Sequence, residues 1–232
     1  MKKMIAALAL AAGLPLHAGV IDSFNDIQTW AGDGASATNR AALVMQWNIN
    51  ATSYSYAWGF GWNSGAPTGQ DMLNAIDLAD TRLIIDYHPT YGALFGIFYD
   101  ADGNGSSHIA GTPGIANPDW TQPPFADDVA GTTTDPSDLY QSGWVNGFWG
   151  YSNYDSSDSY ANVVWASSFV GLGSRSLSDG SWDSLSFSTD VVNFTSPATI
   201  QPLAAVPEPS SLLLGVFALG LFLYARKRLH PY

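Results

Sequence analysis

Between residues 54 and 62 the chain places Tyr54, Tyr56, Trp58, Phe60 and Trp62 at every second position, with small residues between them. A period of two sets the large rings on one face of an extended strand. Residues 41–49, Ala-Ala-Leu-Val-Met-Gln-Trp-Asn-Ile, read as a second strand, and the turn-prone residues 50–53 join the two as a hairpin. A strand face this aromatic must be buried against another layer.

One helix is also expected. Thr68 followed by Asp71 has the form of an N-terminal capping pair, and Met72, Leu73, Ile76 and Ala79 recur at helical spacing, so a short helix is expected to end near Asp80. Further strands are expected at residues 82–87, 92–99, 144–151, 161–170 and 181–187, with a weaker signal at 190–194. Residues 100–142 are rich in Gly, Pro and Asp with little periodicity and read as an extended or partly disordered loop. The expected fold class is α+β, mainly β: an antiparallel sheet with one short packed helix, the alternative being an all-β sandwich.

Cysteine is absent, which excludes disulfides, thiol catalysis and thiolate metal sites. Formal charge is -12, yet five of the eight basic residues (Lys2, Lys3, Arg226, Lys227 and Arg228) sit in the end segments. Between them only Arg40, Arg82 and Arg175 face nineteen Asp, a net charge near -16. Such a surface repels phosphate backbones and anionic lipid, so nucleic acid is excluded as a partner, whereas divalent cations are natural company. The only Glu is Glu208.

Both ends read as targeting segments. Residues 1–18 have a basic start, an apolar run from Met4 to Leu14 and a small-residue finish at Ala18, the layout of a secretory signal peptide. A short N-terminal core helix is the alternative. Residues 19–196 then form an extracytoplasmic β-rich domain, and 197–205 a linker. Val206, Pro207, Glu208 and Pro209 are followed by an almost wholly apolar stretch to Tyr224 and the basic Arg226-Lys227-Arg228. Prolines hold an extended strip, residues 210–225 supply a short membrane helix, and the basic cluster stays cytoplasmic, which leaves the body outside.

This tripartite end, residues 206–232, resembles the PEP-CTERM sorting signal. The resemblance implies recognition of Val206 to Pro209 by exosortase, residence in the inner membrane through 210–225, and final display on the envelope, surface or extracellular matrix of a Gram-negative bacterium that makes exopolysaccharide. A plain C-terminal anchor behind a Pro-rich linker is the alternative. The body's order of segments also resembles the β-grasp-like extracellular domains of cobalamin carriers: a strand pair, the Thr68-initiated helix, residues 91–99, then Trp144-Val145-Asn146-Gly147 and Leu177-Ser178-Asp179-Gly180 before a last strand. That resemblance implies one sheet packed on one helix; the long insertion after Asp100 departs from it, and cobalamin binding is not carried over.

Three groups of residues bear on chemistry. Asp100, Asp102, Asn104 and the carbonyl of Ser106 alternate oxygen-bearing positions ahead of and around Gly105, a spacing that lets them converge on calcium. Gly111 stands where an EF-hand would supply a Glu, so an acidic hairpin turn is the competing reading. His88 and His108 lack partners at metal or catalytic spacing, and no nucleophile elbow or phosphate loop occurs, so the expected protein is not an enzyme; an Asp-based glycoside hydrolase is the residual alternative. The nine Trp residues are mainly core builders, while Trp120, Trp149 and Tyr151 are candidates for stacking on sugar. The expected role is therefore a surface or matrix protein associated with exopolysaccharide or biofilm, and a calcium-dependent carbohydrate or small-ligand module is the alternative.

Overall fold

The aromatic alternation builds the strand it predicts. In the computed structural model, which describes residues 19–87, 94–104, 109–110, 132–133, 135–143, 147–155, 159–189, 198 and 200–205, β1 (Trp30–Gly32) precedes β2 (Asn39–Ile49) and β3 (Thr52–Trp62). β2 and β3 pair antiparallel over their whole length, from Asn39 opposite Trp62 to Ile49 opposite Thr52. Asn50 and Ala51 close the turn, both with positive φ (49° and 64°). Two left-handed residues twist the chain in the sense that keeps the strands paired.

α1 (Gly69–Ala79) starts as expected. The Thr68 side chain accepts from the Asp71 N–H at 3.2 Å, and the Asp71 carboxylate accepts from the Thr68 N–H at 2.8 Å, so two otherwise orphaned donors are satisfied. The chain continues through β4 (Leu83–Tyr87), β5 (Leu94–Tyr99), the short pair β6 (Ile109–Ala110) and β7 (Thr132–Thr133), and β8 (Leu139–Ser142). It ends in β9 (Phe148–Tyr154), β10 (Ala166–Ser167), β11 (Ser181–Ser188) and β12 (Leu203–Ala204).

The molecule is mainly β with one helix, and its main sheet is mixed rather than antiparallel. Seven strands run in the order β1-β3-β2-β11-β9-β10, with β12 beside β1 along the outer edge of β3. β11 lies parallel to β2, and β1 and β12 lie parallel to β3. A parallel neighbour requires a long crossover, and the chain between β2 and β11 supplies it. β4, β5 and β8 form a separate antiparallel sheet.

One core joins these parts. Leu43, Met45, Trp47, Trp58, Leu185 and Phe187 of the main sheet meet Met72, Leu73 and Ile76 of α1 and Leu83, Ile97, Tyr99 and Leu139 of the smaller sheet. On the opposite face, Ile21, Phe24 and Ile27 cover Ala42, Val44, Ala57 and Trp182, with the Phe24 ring stacked on Trp182 at 4.9 Å. Burial on both faces explains why β2 is buried without interruption from Ala41 to Trp47.

Three stretches differ from expectation. Residues 161–170 hold only the two-residue β10, because Tyr160 and Trp165 turn inward, the Tyr160 ring lying edge-on to Trp182 at 5.4 Å, while Val164 and Phe169 stay exposed. The stretch 100–142 contains β8, and its neighbour β5 fixes that strand. Within the expected linker, β12 pairs with β3 and Ala204 and Ala205 are buried. Nearby, Val20 bridges Leu203, the Ile21 N–H donates to the Pro202 carbonyl at 2.9 Å, and the Ala204 N–H donates to the Gly19 carbonyl at 2.8 Å. Both ends of the body therefore lie side by side. Among the described residues no helix is long and apolar enough to cross a membrane; the expected signal peptide (1–18) and sorting tag (206–232) lie outside them.

Candidate metal centre

The antiparallel ladder between β5 and β8 ends at Tyr99 opposite Leu139, so Asp100, leaving one strand, meets Asp138, entering the other. One carboxylate oxygen each from Asp100, Asp102 and Asp138 falls in a group whose members all lie within 4.8 Å of one another. Asp100 and Asp138 are buried and Asp102 is exposed, which gives the cluster one wet side.

Local hydrogen bonds hold both loops. The Gly103 N–H donates to Asp100 Oδ1 at 2.7 Å, with Gly103 at φ 69° where a side chain would be strained, and the Asn104 N–H donates to Asp102 Oδ1 at 3.1 Å. In the second loop the Ser137 N–H donates to Asp135 Oδ1 at 2.9 Å. Between loops, Asn104 Nδ2 donates to Asp135 Oδ2 at 2.7 Å and to Asp102 Oδ2 at 3.0 Å, and Ser137 Oγ donates to Asp102 Oδ2 at 2.9 Å.

Asp138 stands apart from its neighbours. It is 2 % exposed, and neither carboxylate oxygen meets a donor at hydrogen-bonding geometry. Burial, followed by the repulsion of Asp100, Asp135 and Asp102, pushes its pKa up to about 7, against a small opposing pull from the Ala101 amide. A buried carboxylate without a partner is costly, and either a proton or a cation relieves it. Arg82 grips Asp80 through Nε and Nη2, each at 2.8 Å, Arg175 pairs with Asp155 and Asp183, and Arg40 lies 5.4 Å over the Phe24 ring.

Of the residues expected to bind calcium, Asp100, Asp102 and Asn104 are brought together, Asn104 as the bridge between loops, while Ser106 lies outside the described residues. Asp135, Ser137 and Asp138 are new members. Their signal in the sequence is the acidic run Asp135-Pro136-Ser137-Asp138 immediately before Leu139-Tyr140, which gains meaning only once β8 is registered on β5.

The expected sugar-contact residues are placed differently. Trp149 is buried, edge-on to Trp47 at 5.7 Å and to Phe187 at 5.6 Å, and its Nε1 donates to the Gln141 carbonyl at 3.2 Å. Tyr151 is half-buried, and its hydroxyl donates to the fully buried Asp183. Burial raises the Asp183 pKa to about 6, with the Tyr151 hydrogen bond and Arg175 holding it down, and the same burial raises that of Tyr151. Both rings serve packing rather than offering a free face to a ligand; Trp120 lies outside the described residues. No protein-family model matches the chain, and no curated protein and no solved structure matches it either.

Proposed function

We propose that the protein is an exported, non-enzymatic surface or matrix component, delivered by the segment 1–18 and sorted by exosortase through Val206, Pro207, Glu208 and Pro209, with residues 210–225 holding it in the inner membrane during sorting. The observation that carries this reading is that the body's two ends, at Val20 and Leu203, pair with each other at one edge of the sheet. Adjacent ends let a single membrane attachment hold the sheet by one edge.

One further feature supports it. The β-grasp-like reading of the body is supported by β11 entering parallel to β2, between the first hairpin and β9, with α1 packed on one face. Association with exopolysaccharide keeps Trp120 as its remaining candidate ring of the three.

Replacement of Pro207, Glu208 and Pro209 by alanine tests the motif in cells. The body should then remain in the inner-membrane fraction and disappear from the pool released by protease shaving of intact cells. An unchanged surface pool would contradict the proposal.

A further inference from the structure

We propose that Asp100, Asp102 and Asp138 bind one calcium ion, which clasps the exit of β5 to the entry of β8. The acidic cluster alone would not carry this, since carboxylates often gather on acidic surfaces. The second observation is Asp138, whose two oxygens lie in the protein interior without a donor and whose carboxylate belongs to the converging group. Folding has thus set one negative charge out of water beside two others, an arrangement that becomes favourable when a cation sits among them.

The donor set selects the ion. All three residues offer hard carboxylate oxygens, and at the rim Asn104 Nδ2 donates to both Asp102 and Asp135. Calcium takes six to eight oxygens at about 2.4 Å, so oxygens on opposite sides of the ion are roughly 4.8 Å apart. One oxygen of each of the three carboxylates lies within 4.8 Å of the others, close enough for a single ion to touch all three. Exposed Asp102 leaves a side open for entry and for water to complete the shell. An open site of three carboxylates belongs with the weak extracellular class, with Kd on the order of 10⁻⁴–10⁻³ M. Resting on the export reading, the ion would be loaded only after translocation, so the β5–β8 end would gain its last stabilisation outside the cytoplasm.

The test uses the purified full chain in detergent, stripped of metal, and does not depend on sorting. Equilibrium dialysis should show one calcium per chain, and 10 mM calcium should raise Tm by roughly 5 °C. Asp138→Asn should weaken calcium binding at least tenfold while raising the Tm of the calcium-free protein, because it removes the buried charge; a merely structural Asp138 would give the opposite sign. Should that variant fail to fold, Asp102→Asn, at an exposed position, should weaken binding at least tenfold in the same dialysis measurement. The proposal is overturned if the chain takes up no stoichiometric calcium at 10 mM, if a folded variant binds with unchanged affinity, or if magnesium at the same concentration gives the full Tm shift.

Discussion

Several Asp side chains of this protein are held where a carboxylate is least comfortable. Asp86 is 2 % exposed, its Oδ2 lacks a hydrogen-bond partner, and burial alone pushes its pKa up to about 7 from 3.8. The folded state therefore holds this proton more tightly than the unfolded chain, so the stabilisation is complete below about pH 4 and is lost as pH rises through about 7. Asp138 and Asp183 shift in the same direction. In calcium-free buffer the urea midpoint should fall from pH 5 to pH 8. Asp86→Asn should flatten part of that slope, gaining on the order of 4 kcal/mol at pH 8 relative to pH 4. An identical pH slope in the two proteins would show that Asp86 does not carry the effect. None of this is visible in the residue types: nineteen Asp look alike in the sequence, and only packing separates the buried from the solvated.

Among the elements, the seat of α1 is the most exacting. A methyl group at Gly69 would come within 2.7 Å of the Tyr151 hydroxyl oxygen, 3.2 Å of Leu172 Cδ2 and 3.3 Å of Asp183 Oδ2. Alanine is the better helix former, by up to about 1 kcal/mol. Gly69→Ala should nonetheless destabilise by about 1–2 kcal/mol in chemical denaturation, because the helix start must lift from the Tyr151–Asp183 pair. A stabilised variant would mean that the helix is not seated there. The elements legible in the sequence are those whose signal is local: the period of two in β3, the apolar run of β2, the capping pair of α1, and β4, β5 and β11. β1, β8 and β12 are four residues or shorter and exist through the partner beside them, which no local pattern reports. The same division runs through the acidic cluster. Alternation marks Asp100, Asp102 and Asn104, whereas Asp138 joins them through the pairing of Tyr99 with Leu139, about forty positions further along the chain. Trp149 and Tyr151 had the composition of a sugar platform, but β9 lies between β11 and β10 in the sheet, and one ring enters the core while the other caps Asp183.

At the scale of the whole molecule, the mixed sheet gathers both ends of the described body at one edge. β12 and the segment around Val20 meet along β3, while the acidic cluster lies at the end of the separate β4-β5-β8 sheet. The proposed attachment and the proposed cation site thus fall on different parts of the body. Lysine is absent from the body, and Arg82 and Arg175 are paired with Asp80 and Asp155 within it. Delivery to the outside is the central claim of the proposed function, and the mass of the mature protein's C-terminal peptide tests it most directly. Protein from exosortase-containing cells should lack residues 226–232, and protein from cells without the enzyme should retain them. An intact basic tail in both would contradict the account.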